Sequence, residues 1–90
     1  MDIFFKPSFI KDFKKLPKNT KADVRKTCTE DFLIAKDLTE IRRVDIKLIR
    51  GFKNYFRIRI GDYRIGFKKE DQVVVFMRVK HRKDIYKNFP

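Results

Sequence analysis

The stretch Tyr55–Arg64, YFRIRIGDYR, constrains the fold of this chain more than any other. Phe56, Ile58 and Ile60 take one parity, and Tyr55, Arg57 and Arg59 take the other. A period of two predicts a half-buried strand, apolar face in and basic face out. Gly61-Asp62 then predicts a two-residue hairpin turn, since glycine tolerates the positive φ such turns need. The register follows: Ile60 opposite Tyr63, Arg59 opposite Arg64, Ile58 opposite Ile65 and Arg57 opposite Gly66. Like charges directly opposite one another cost stability. A face that stacks Arg57, Arg59 and Arg64 is therefore expected to meet an anion, and Gly66 leaves room for a backbone or ligand to approach.

Around this hairpin the pattern predicts few further elements. Ile3 to Phe5 read as a short first strand. Pro7-Ser8 opens a helix with Ser8 as its N-cap. Phe9, Ile10, Phe13 and Leu16 form its apolar stripe, Lys11, Lys14 and Lys15 face away, and Pro17 stops it. Asn19 or Thr20 caps a second helix, in which Val24, Cys28, Phe32 and Ala35 recur at i, i+4, i+8 and i+11. Residues 36–50 read as a loop or helical turn to about Asp45, then extended chain to a bend at Gly51-Phe52. Strands at 54–60 and 63–68 precede a polar turn at Lys69–Gln72. Val73–Val79 is a β-branched run of the sort buried on both faces. Lys83–Phe89 is a short terminal helix or extended tail. The expected fold class is α+β: a small antiparallel sheet packed against an N-terminal helical hairpin, in one domain spanning residues 1–90.

A net charge of +12, from 24 Lys+Arg against 12 Asp+Glu, calls for a polyanionic partner: nucleic acid, a membrane surface or an acidic protein. The 42% hydrophobic content, ten phenylalanines included, argues against disorder. Cys28 is alone, which excludes an internal disulfide and a Cys-based zinc site and points to the cytoplasm. On the apolar side of its helix it reads as a small buried hydrophobe rather than a nucleophile. No apolar run approaches the ~18 residues of a membrane span, and the N-terminus lacks a signal-peptide core.

Beyond VVVF, Arg78, Lys80 and Arg82 share one parity, His81 lies between the last two, and Tyr86 follows Arg82 by four residues. Strand pairing brings Arg82 near the Arg57, Arg59, Arg64 face. For Arg78 the pattern leaves two registers open: one sets it opposite Arg64, and a one-residue slip turns it to the other face. Such a set suits a phosphodiester. RNA is cut without metal by its own 2′-hydroxyl attacking the adjacent phosphate, which needs charge stabilisation at the phosphorane, a proton acceptor and a proton donor. Arg59, Arg64 and Arg82 are the candidates for the first, since the guanidinium fork matches phosphate oxygens. His81 or Tyr86 is the candidate for proton transfer, and Lys53, Arg57, Arg78 and Lys80 for holding the RNA backbone. No metal or other cofactor is expected: Asp62, Glu70, Asp71 and Asp84 are the only acids in this half, three of them at predicted turns. Plainer readings stand beside these. A basic strand face can be merely solvated, a lone His structural, and Tyr86 a packing anchor for the tail. Tyr55 and Tyr63 read as core or rim aromatics.

The segments NYFRIRIGDYRIGF and VVVFMRVKHRKDIYKNF, in the order strand, helical hairpin, hairpin, strand and HRKDIY tail, resemble the RelE/ParE superfamily of bacterial and archaeal toxins over essentially the whole chain. The resemblance implies a RelE-like mRNA interferase, a ribosome-dependent endoribonuclease that cuts messenger RNA in the ribosomal A site and so inhibits translation. It also implies a co-encoded antitoxin that holds the toxin off, with DNA met only through that antitoxin. Family positions match Arg57 and Arg59 before the turn, Arg64 after it, Arg82 beyond the last strand and Tyr86 in the tail. The chain departs from the pattern by carrying Arg where RelE-type strands commonly carry Lys, and by a shorter spacing from Arg82 to Tyr86. Arginine cannot act as a base at ordinary pH, so proton abstraction falls to another group. Two other functions fit the same resemblance: a ParE-like inhibitor of DNA gyrase that cuts no RNA, and a non-catalytic RNA- or ribosome-binding module.

Overall fold

In the computed structural model, which describes residues 1–90, the alternating segment is strand β3 (Tyr55–Ile60), and Gly61, at φ 57°, turns the chain into β4 (Tyr63–Glu70). All four predicted pairs are present, from Ile60 opposite Tyr63 to Arg57 opposite Gly66. With β1 (Asp2–Phe5), β2 (Asp45–Leu48) and β5 (Val73–His81) they form one sheet in the order β1-β5-β4-β3-β2. Pairing is antiparallel except that β1 lies parallel to β5. The two are joined only through the rest of the chain, the long connection a parallel pair requires.

One face of the sheet carries the helical hairpin, α1 (Pro7–Lys14) and α2 (Lys18–Lys26). A π-helical turn at Thr27–Asp31 continues α2 into the short α3 (Phe32–Ile34), so that Val24, Cys28, Phe32 and Ala35 are all buried. Phe32 stands edge-on to Phe67 and Phe76, with ring centroids 5.1 and 5.2 Å away, and Phe56 stacks on Phe67 at 5.2 Å. Each such side chain contributes roughly 1.5–3 kcal/mol by leaving water. Cys28 is a core residue: burial, with the Asp31 charge adding to it, pushes its thiol far above its ordinary range and leaves no thiolate to react. Arg43 braces the π turn by donating to Thr27 Oγ1 at 2.7 Å and to the Asp31 carboxylate. The Met1 ammonium donates to the carbonyls of Phe32, Leu33 and Ala35, satisfying the end of that helix.

The helix starts differ from those the sequence predicts. Lys6, not Ser8, is the N-cap of α1, with Pro7 in the first turn, and α2 starts at Lys18 rather than after Asn19 or Thr20. Ser8 is diverted because its Oγ donates to Met77 O at 2.7 Å. Met77 is a β-bulge: Gly66 pairs with Arg78 and Phe67 with Phe76, so Met77 has no partner on β4. β1 covers β5 only as far as Phe76, and α1 closes the rest of that edge with Ser8 on Met77 O and the Asp12 carboxylate on Val79 N, 3.2 Å. The bulge also switches parity, so Val74 and Phe76 face the helices before it and Val79 after it. β5 is fully buried on that face only; Val73 on the other side is 38% exposed, so the run is not buried on both faces as the sequence predicts.

Opposite the helices lies the basic face. The tail crosses it as α4 (Ile85–Asn88), with Ile85 and Phe89 buried. Gly66 is where the tail seats. A Cβ there would fall 2.5 Å from the Phe89 ring, so the space left by glycine is filled by the chain's own side chain. Tyr55 meets the same ring edge-on at 5.7 Å.

Candidate nucleic-acid interface

The site forms where the β3–β4 turn meets the end of β5. Arg64 Nη1 donates to Gly61 O at 2.8 Å and to Tyr63 O at 2.9 Å, which folds its guanidinium back over the turn. The Arg82 backbone N–H donates to Asp62 O at 2.7 Å, bringing the exit of β5 to the same turn. Arg59 lies directly across from Arg64 and has no carboxylate partner. Tyr86, the second residue of the single-turn α4, is 58% exposed. Partial burial and the charges of Arg59, Arg57 and Arg82 hold the Arg64 guanidinium below its ordinary range, and Tyr86 acts in the opposite sense. Arg64 thus feels each of these groups, and two carboxylates, Asp45 and Asp62, lie on elements next to theirs.

Those carboxylates are on neighbouring loops and strands. Asp45 on β2 accepts from Arg57 Nη1 at 3.1 Å, and this bond, with the Arg57 charge, holds its carboxyl below the usual range. Asp62 lies 3.9 Å from Arg82 Nε, with both groups well exposed, so the contact contributes little. Lys47 stands across from Arg57, exposed and without an ion-pair partner, and extends the basic face to the edge strand. Sequence reasoning missed Lys47 because only the pairing of β2 with β3 assigns the short DIKL run a face.

Four predicted site residues lie elsewhere or are otherwise engaged. His81 pairs with Tyr63 and meets its ring edge-on at 5.4 Å, on the helix-facing side of the sheet, because the Met77 bulge reverses the parity of everything after it. Its Nδ1 accepts from Lys83 N at 3.2 Å. This corrects its assignment to the arginine cluster: its surroundings are a cleft of about 190 Å³ with Asp12, Lys15, Leu16 and Lys80. Arg78 faces Gly66, not Arg64, and reaches round the sheet edge to form a two-bonded pair with Asp12, 2.8 and 3.0 Å. Lys80 is the residue opposite Arg64, and its Nζ lies 3.8 Å from the same carboxylate. Arg78 and Lys80 are therefore turned away from the cluster towards a buried partner. Lys53 is in the loop before β3, at the other end of that strand from the Gly61-Asp62 turn. No three His, Cys, Asp or Glu side chains come together as a metal-holding group, and no helix is long and apolar enough to cross a membrane.

The site is thus a basic hairpin face with a tail docked across it, on a sheet backed by two helices. Residues 3–86 match the family described as ParE toxin of type II toxin-antitoxin system, parDE. The chain is 39% identical over 90 residues to Toxin RelE3 of Methanocaldococcus jannaschii, covering all of both chains. It superposes on a chain of the RelB-RelE antitoxin-toxin complex from Methanococcus jannaschii with a TM-score of 0.81 and 38% identity, covering 97% of this chain and 99% of the other. A chain of the RelE-RelB complex from Pyrococcus horikoshii, 21% identical, shares the fold at a TM-score of 0.70, over 90% of this chain and 93% of that one. The protein belongs to the RelE/ParE superfamily. Within it, the chain is a RelE-family toxin of a type II toxin–antitoxin system.

Proposed function

We propose that the protein is a ribosome-dependent, metal-independent endoribonuclease that cleaves messenger RNA in the A site. The observation that supports this reading is the meeting of Arg64 and Arg82 at the Gly61-Asp62 turn, with Arg59 across from Arg64 and Tyr86 exposed beside them. As the 2′-oxygen bonds to phosphorus, negative charge builds on the phosphorane oxygens. Guanidinium groups already oriented by their own hydrogen bonds need little reorganisation to meet it. Arg64 is oriented in this way, Arg59 and Arg82 flank it, and Arg57 and Lys47 continue the positive surface along the strands. The 2′-hydroxyl proton leaves as the new bond forms, and the 5′-oxygen gains one as the old bond breaks. Tyr86 is the group on this face assigned to proton transfer, because its hydroxyl exchanges a proton where an arginine does not.

A cognate antitoxin is the natural inhibitor, as the relatives' names describe toxins crystallised with one. An acidic or amphipathic segment covering the basic face or lifting the tail would suffice. One observation favours a second reading, inhibition of DNA gyrase: the matching family is described as a ParE toxin. Translation reactions containing the purified protein, with cut sites mapped by primer extension, separate the two. Cleavage at ribosome-bound codons is expected, whereas intact message with arrested supercoiling supports the gyrase reading.

A further inference from the structure

We infer that the helical hairpin is a second nucleic-acid surface, one that grips the phosphate backbone of double-helical RNA while the sheet face engages the message. The inference rests on RNA being the target. Residues 6–26 hold eight Lys or Arg (Lys6, Lys11, Lys14, Lys15, Lys18, Lys21, Arg25 and Lys26) against Asp12 and Asp23, half of the chain's net +12. Asp12 is buried and bonded to Arg78 and Val79 N, so Asp23 is the one acid on the hairpin's surface. None of the eight cations has a carboxylate partner, although other cations of the molecule form seven ion pairs, two of them with Asp12.

The arrangement is specific. α1 buries Phe9 and Asp12, and Leu16 just beyond its end is buried too, which turns Lys11, Lys14 and Lys15 to the opposite side. On α2, Lys18, Lys21 and Arg25 share one side at i, i+3 and i+7, and the Arg25 guanidinium lies 5.3 Å from the centre of the Phe13 ring, drawing that stripe against α1. Lys11–Lys15, Lys14–Lys18 and Lys21–Arg25 are like charges four apart. Where both members sit on one helix, such spacing is destabilising unless an anion lies over it.

The residue types identify the partner. Five of the six stripe residues are lysines, point charges that follow phosphates without reading bases, unlike the forked arginines of the sheet face. No aromatic side chain is exposed among them, so there is no platform on which single-stranded bases would stack. Ile10 is the only large exposed hydrophobic of the two helices, too little to enter a bilayer. A regular duplex backbone, presented by a folded RNA, fits what remains.

The test compares two triple variants that lose the same charge: Lys14→Gln, Lys15→Gln, Lys18→Gln on the hairpin, and Lys36→Gln, Arg42→Gln, Arg50→Gln at exposed positions elsewhere. Binding to a labelled RNA duplex, the matching DNA duplex and one RNA strand is measured against KCl concentration. The hairpin triple is expected to weaken RNA-duplex binding about tenfold or more and to reduce the slope of log Kd against log salt by about 2–3. The control triple and the single strand are expected to change little. Equal losses in both triples, equal loss on the single strand, or tighter binding of wild type to the DNA duplex each overturns the inference. These readouts do not depend on cleavage. A hairpin triple that behaves like its control while wild type still cuts message defeats this inference alone, and selective duplex loss in a protein that cuts nothing defeats only the nuclease reading.

Discussion

The two basic regions of this molecule are built by opposite means. On the sheet, arginines are held: the Arg64 guanidinium by two carbonyls, that of Arg57 by Asp45, and Arg82 through its backbone N–H on Asp62 O. On the helical hairpin, lysines project without partners from helices whose other sides make the core. Fixed cations lose little freedom when an anion arrives and suit a particular developing charge. Mobile cations suit an extended polyanion whose contacts are many, interchangeable and salt-sensitive. The difference teaches that charge count alone does not locate chemistry; the bonds that orient a charge do.

The largest expected effect falls on the held side. Arg64→Ala should lower message cleavage by about 10²–10³, the typical cost of one lost oriented donor, with the thermal midpoint nearly unchanged. Cleavage at the wild-type rate would remove the turn-bound guanidinium from the mechanism. Tyr86→Phe should follow with a loss of about a hundredfold while ribosome binding persists, and His81→Gln should leave the rate unaltered. The reverse ranking would move proton transfer to the helix-facing side of the sheet.

Asp12 joins the two regions, and its loss is read in stability. Asp12→Ala leaves Arg78 and the Val79 amide unpaired at a closed edge, at a cost of about 2–3 kcal/mol because Arg78 keeps some exposure. For a chain of this size that lowers the melting midpoint by roughly 10–20 °C, measurable by calorimetry. Gly66→Ala should cost about 1–2 kcal/mol by pressing on the Phe89 ring. Its mark should be faster amide exchange confined to Ile85–Asn88, and uniform exchange across the sheet would show that the tail is not a separate layer.

The smallest effect is on pH. The Asp45 carboxyl titrates below its ordinary value in the folded state, so its contribution is present above about 3.9 and is lost as pH falls through the folded value. The group is exposed, so the contribution is small. The melting midpoints of wild type and Asp45→Asn should differ slightly near neutrality and converge in acid.

Much of the architecture was legible because it rests on local pattern. The β3–β4 register follows from alternation around Gly61, and the burial of Val24, Cys28, Phe32 and Ala35 follows from helical spacing. Neither needs knowledge of a distant residue. The lysine cluster was present too, but the net charge of the whole chain does not locate it: ten of the twelve acids lie outside residues 6–26.

What the amino-acid order determined by itself is the hairpin, its two faces and the arginines it presents, since side-chain parity within a continuous strand is a property of the backbone. Only the tertiary structure decided which way Arg78, Lys80 and His81 point and what fills the space over Gly66. A single unpaired residue, Met77, reverses parity, and it is accommodated by Ser8 and Asp12 from a helix some seventy residues earlier in the chain. A bulge leaves no period of its own in a sequence. It exists because a carbonyl and an amide at an uncovered edge find their hydrogen bonds on another element.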